Sequence, residues 1–264
     1  MIPIDKLKLK TERADKHITD LAEALRIFHE QGDRQFIAFQ RNPQTGEQIF
    51  KVVRVPEVPL AISVIIGDAL NNLRSTLDHL VYALVAKRIA PKIPPNYVSF
   101  PIADSPDKYV STEYRRKIEM AGEKAIKRID ALKPYKGGND LLWQLGKLNN
   151  LDKHRLLLTT GMRYKHRTFT QDDLARMRRT MTKGDPGILE LIRFTNFGGP
   201  NKPLKVGDIV YVKPPHVNEK IHFSFEVGFD EPEIIKCESV VQTLYVMLKM
   251  LENNILPRFA DLLI

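Results

Sequence analysis

The sequence predicts an α+β fold, a helical bundle of long antiparallel helices carrying two β-hairpins that pair as one small antiparallel sheet or stay apart. Three observations lead there. Apolar residues recur at helical spacing over four separate stretches. Two other stretches contain paired runs with strand character. No self-similar repeat of solenoid period and no low-complexity tract interrupts the pattern. At 264 residues the chain is long enough to bury a core unaided, and the whole of 1–264 reads as a single domain. Its helical core falls at about 59–160 and 235–256, with β elements at about 34–55 and 206–229.

Residues 11–31 place Ile18, Leu21, Ala22, Leu25 and Phe28 on one stripe, and Gly32 ends that helix. RQFIAFQ (34–40) and QIFKVVRV (48–55) flank the turn-rich NPQTGE and predict a hairpin. Pro59 opens a long helix to about Ala90, closed by PKIPP. A Pro-rich loop with a short extended piece at YVSFPI follows, then a basic helix over 111–132 that KPYKGG ends. From Asn139 a helix runs through LLWQLGKLNNLDKHR, and QDDLARMRRTM (171–181) predicts a short one. VGDIVYVK (206–213) and KIHFSFEVGF (220–229) predict a second hairpin; in the latter Ile221, Phe223, Phe225 and Val227 alternate with polar residues, as in a half-buried strand. The last helix sets Val241, Leu244, Leu248, Leu251 and Ile255 in a seam suited to another helix of this chain or of a second copy, and Pro257 interrupts it.

Composition narrows the function. The single cysteine, Cys237, forms no internal disulfide and no Cys/His run has zinc-finger spacing, so neither a disulfide scaffold nor a resident metal or cofactor is expected. MIPIDKLKLK lacks a signal-peptide core and LAISVII (60–66) is too short to span a bilayer, which together predict a cytoplasmic protein without membrane contact. A Gly-rich phosphate loop, a G-x-S-x-G elbow and a dinucleotide fingerprint are all missing. The net charge of +9 is local: Val110 to Lys183 carries 18 Lys or Arg against 8 Asp or Glu. Arg163, Lys165, Arg167, Arg178 and Arg179 are its densest part and would attract RNA or another polyanion. An ordinary solvated basic face is the plainer reading of the same residues.

The chemistry-bearing stretch is NNLRSTLDHL, residues 71–80. On a helical wheel with Arg74 at zero, Asp78 falls near ~40°, Ser75 near ~100°, His79 near ~140° and Asn72 near ~160°. Leu70, Leu73, Leu77, Leu80, Val81 and Leu84 fill the opposite arc. Asn, Ser, Asp and His are poor interior helix formers, and a solvated face is more cheaply Lys, Glu and Ala. The polar arc is therefore expected to meet protein groups or a ligand. LNNLDKHRLLL (148–158) echoes it, with Asn149 and Asp152 near a stripe of Leu141, Leu142, Leu145 and Leu148. A carboxylate aimed at a core needs a partner, for which Arg74 or His79 serve. The two helices are thus expected to meet through Asn72, Arg74, Asp78, His79, Asn149, Asp152 and His154, either as a ligand site or as a polar seam that fixes register or joins a homodimer. A third option uses Asp78, His79, Asp152 and His154 as ligands of a divalent metal that activates water. Trp143 and Tyr135 read as packing residues.

The runs GDALNNLRSTLDHL, SFPI and LKPYKGGNDLLWQLGKLNNLDKHRLLL resemble an uncharacterised bacterial family over most of residues 60–160. Arg74 and His79, with Asn72 upstream and Asp78 between them, also resemble the active motif of the HEPN superfamily of small helical ribonucleases. That likeness implies metal-independent RNA cleavage where two such helices face each other, usually in a dimer. Arg74 would neutralise the scissile phosphate, His79 would do acid–base work on the 2′-hydroxyl, and Asn72 and Asp78 would orient them.

Overall fold

The structure, a computed structural model, describes residues 4–31, 36–92, 94–155, 158, 160–168, 203–215 and 222–263. The fold is α+β and dominated by helices. The chain divides into two compact units: 1–26, 60–158 and 240–264 form the helical one, and 27–59 with 159–239 the β-rich one. The segregation follows from periodicity, since a sheet buries one face and a helix one stripe, and each is satisfied most simply by its own kind.

The helical unit contains most of α1 (Ile4–Gln31) and all of α2 (Leu60–Ile89). α2 is its axis. Ile66, Leu70, Leu73, Leu77 and Leu80 are fully buried, and burial extends around the helix to Ser63 and Thr76. Those two hydroxyls are tolerated because each donates to a backbone carbonyl, Ser63 to Leu158 and Thr76 to Asn72. α2 stops at Ile89, and Pro91, which lacks an amide hydrogen, follows. Leu7, Ala14, Ile18, Leu21 and Leu25 of α1 are buried, so this helix starts a full two turns before the stripe that the sequence shows from residue 11.

The basic helix expected over 111–132 is broken. Short helices α3 (Pro106–Val110) and α4 (Thr112–Arg115), a 3-10 turn at Glu119–Ala121, and α5 (Glu123–Ala131) replace it. Gly122 lies at the break with φ +89°, a backbone state that side chains other than hydrogen resist. Arg115 and Tyr109 both bond Asp130, at 2.6 and 2.5 Å, and tie the fragments together. α6 (Asp140–Arg155) lies against α2. The seam of the last helix is also spent inside this chain, Leu244, Leu248, Leu251 and Ile255 being fully buried. That helix is α7 (Val240–Lys249), which widens into a π-helical stretch at Met250–Ile255, then a 3-10 turn holding Pro257, then α8 (Ala260–Leu263).

In the β-rich unit, β1 (Ile37–Arg41) and β2 (Gln48–Val52) form the expected hairpin. The second hairpin does not form. β4 (Ile209–Lys213) joins β2, giving the antiparallel order β1-β2-β4, whereas β5 (His222–Phe229) pairs with β3 (Thr160–Thr168). β3 contains the basic RYKHR run, whose charges hide a strand from hydrophobic patterning. Phe36 packs edge-on against Phe225 at 4.7 Å, and Phe50 meets Phe223 and Tyr211. These aromatic contacts join the two small sheets, of which the two-stranded one is too small to be stable alone.

Gly67 fixes how closely α6 approaches α2. A Cβ there would lie 2.5 Å from Asp152 Oδ1 and 2.7 Å from its Cγ. Gly67→Ala is therefore expected to cost about 1–3 kcal/mol in denaturant unfolding. Asp152→Ala in the same chain should recover most of that loss, because it removes the atoms that the new methyl meets.

Candidate functional site

The polar side of α2 divides into two, as the angular spread of its residues requires. Arg74 and Asp78 lie four residues apart and act together. Arg74 Nη2 donates to the Phe100 carbonyl at 2.7 Å, and Asp78 Oδ1 accepts from the Phe100 amide at 2.9 Å. The same oxygen lies 2.8 Å from Arg74 Nη1. One side chain pair thus satisfies both backbone groups of Phe100, as a neighbouring β-strand would, and seats its fully buried ring in the core. Burial pushes the Arg74 guanidinium below its ordinary value and the Asp78 carboxylate pulls it back up; at arginine's high intrinsic pKa the charge persists.

Asn72 and His79 belong elsewhere. Asn72 donates to the Asp68 carbonyl within its own helix, and the exposed His79 opens with it onto a broad depression bounded by Lys6, Leu7, Leu9, Lys10 and Arg13 of α1. Arg74 instead lines a different cavity. The expected Arg74–His79 pair is not brought together, because five residues on a helix turn a side chain through about 140°.

The expected α2–α6 polar seam forms only in part. Asp152 meets neither Arg74 nor His79; it sits over Gly67, with the Asp68 charge near it. Burial first, then Asp68, raises its carboxyl above the usual range, while Lys153 opposes. Asn149 is buried, and its Oδ1 has no hydrogen-bond donor among the described residues. His154 is exposed. Among the described residues no group of three or more His, Cys, Asp and Glu is placed to hold a metal ion, so the Asp78, His79, Asp152 and His154 cluster does not assemble.

Of the five basic residues expected to grip a polyanion, Arg163 alone has a described side chain. Arg163 is largely buried, its Nε 3.5 Å from Glu226 across the β3–β5 pair. Lys165 and Arg167 lie on β3 with side chains outside the described atoms, and Arg178 and Arg179 lie outside the described residues. Arg115, Lys124, Lys127 and Arg128 of the same basic segment are all ion-paired, the last with Asp261.

What α2, α4 and α6 build together is a polar cavity of about 260 Å³ beneath the extended segment 100–104. Arg74, Lys117, Lys147, Asp104, Tyr114, Trp143 and Asn150 line it. Gly146 lets α6 approach this segment, since a Cβ there would lie 3.0 Å from Ile102. Asp104 is fully engaged: Lys147 stands 2.6 Å away, Trp143 Nε1 donates to it at 3.1 Å, and the Lys147 bond above all holds its carboxyl below the usual value. Lys117 has no such carboxylate. Its ammonium lies 4.5 Å above the Tyr114 ring and makes no ion pair among the described residues. Neither Lys117 nor Lys147 is marked in the sequence, since each owes its place to a partner more than twenty residues away or to the path of a loop.

Comparison with protein-family models, with curated proteins and with solved structures finds no match. No helix among the described residues is long and apolar enough to cross a membrane.

Two consequences are measurable. Arg74→Met should lower stability by about 3 kcal/mol, the cost of leaving Asp78 and the Phe100 carbonyl without their partner, seen as a lowered denaturation midpoint. The raised carboxyl of Asp152 carries the opposite sign to an ordinary ion pair: the folded state holds its proton more tightly, so stability falls as pH rises from the unfolded value of about 4 through the folded one. Asp152→Asn should therefore raise the melting temperature at neutral pH, with the gain vanishing in acid.

Proposed function

We propose that the helical unit is a binding module for a ligand bearing a phosphate or carboxylate, held in the cavity under residues 100–104. The supporting observation is Lys117, a half-buried cation without a carboxylate that shares this cavity with Arg74 and Lys147. A half-buried ammonium without an ion pair is incompletely compensated, and a bound oxyanion is the simplest group to complete it. The volume suits one small acid or one nucleotide phosphate, so a free metabolite and an RNA strand present the same chemistry here. A ribonuclease built on Arg74 and His79 of one chain gains no support, because the two open onto different surfaces.

Trp143 is the chain's only tryptophan and lines the cavity, so its fluorescence reports occupancy. Inorganic phosphate and acetate should each change the emission saturably. Lys117→Ala should weaken this roughly ten- to a hundredfold, as loss of a charge-assisted hydrogen bond of about 1.5–3 kcal/mol does. A short single-stranded RNA competing with phosphate would mark the polymer as the ligand. No response to either anion, or a response indifferent to Lys117→Ala, would defeat the proposal. RNA incubated in chelator should survive equally with the wild-type chain and with His79→Ala; cleavage that His79→Ala abolishes would reinstate the ribonuclease reading.

A further inference from the structure

We propose that Lys117 is a reactive amine, and that the ligand is a small anionic aldehyde or ketone whose carbonyl condenses with it. This rests on the cavity binding anions, but it concerns a chemical step that anion binding alone does not require. Three features of the site support it. Lys117 is the one lysine lining this cavity that is not held by a carboxylate, since Lys147 is locked to Asp104 at 2.6 Å. Its amine is therefore free to turn toward a bound molecule. Arg74 and Lys147 line the same cavity, so a carboxylate or phosphate drawn into it by their charge would hold an attached carbonyl close to Lys117.

The surroundings also favour the neutral amine. Burial draws the Lys117 ammonium below its ordinary value; Glu113 and Asp78 pull it up, Arg74 and Arg116 push it down, and the net direction is downward. The Tyr114 ring face favours the ammonium but supplies no counter-charge. Lysines activated for imine chemistry are those placed in partly desolvated sites beside another cation, the arrangement found here.

The step balances without an outside oxidant or reductant. The nitrogen lone pair attacks the carbonyl carbon and the C=O π electrons move to oxygen. The resulting carbinolamine loses water, whose oxygen is the former carbonyl oxygen and whose two hydrogens come from the amine. A C=N bond between Lys117 Nζ and the ligand carbon remains. The test incubates the full chain with pyruvate and sodium cyanoborohydride, which reduces the imine to a stable secondary amine, and maps adducts by peptide mass spectrometry. Acetone replaces pyruvate as the uncharged control.

Lys117 should be modified about tenfold more than exposed lysines such as Lys127, because a bound carboxylate would hold the carbonyl beside Lys117 alone. Inorganic phosphate should suppress that modification and acetone should not show the preference. Lys117→Arg should lose the adduct while melting at the wild-type temperature, which shows that the loss is not one of folding. Equal labelling of Lys117 and Lys127 by pyruvate would overturn the proposal while leaving anion binding standing. Selective labelling of Lys117 that phosphate does not affect, with no Trp143 response, would instead remove the anion-binding reading and keep the reactive amine.

Discussion

The bidentate hold of Arg74 and Asp78 on Phe100 organises the helical unit. α2 is buried on most of its circumference, and a helix so enclosed can carry charge only where the charge is paired and hydrogen-bonded. Here the pair is closed by a backbone amide and a carbonyl of a segment that has no sheet to join. The gain is mutual. Phe100 delivers a large ring to the core, its backbone groups are satisfied, and the following residues 101–104 are laid along α6 over Gly146.

Electrostatics in this cavity are uneven, and the unevenness is what gives it chemistry. Asp104 gathers Lys147, Lys108 and the Trp143 indole, so its charge is fully screened. Lys117, on the chain just after α4, lies beyond reach of it. A protein surface usually resolves such a charge by hydration, but Lys117 is half-buried. Elsewhere in the basic segment Arg115, Lys127, Arg128 and Arg163 pair with Asp130, Glu123, Asp261 and Glu226.

The contact between Gly67 and Asp152 shows a different use of polarity. A carboxylate resting on a glycine, with Asp68 close by and no donor among the described residues, is a locally unfavourable element at the crossing of α2 and α6. It is offset by apolar burial along the two helices, Leu70 and Leu73 on α2 and Leu142 and Leu145 on α6 all being fully buried. Asn149, buried beside the same stripe with an unsatisfied oxygen, adds to the polar strain there.

By itself the sequence determined the helical dominance, the limits of α2 and α6, the β1–β2 hairpin and the split of α2 into polar and apolar arcs. These depend on periods of two and 3.6 residues, on prolines and on a turn, all of which act over short separations. It also marked Arg74 and Asp78 as a pair with a purpose, since four residues is one helical turn. Tertiary structure alone decided what that purpose was, because Phe100 lies more than twenty residues away. It placed His79 against α1 and Lys117 beside Arg74, broke the helix at Gly122, and sent β4 and β5 to separate sheets. Such outcomes depend on which distant groups compete for the same burial and the same hydrogen bonds, and no window of neighbouring residues contains that competition.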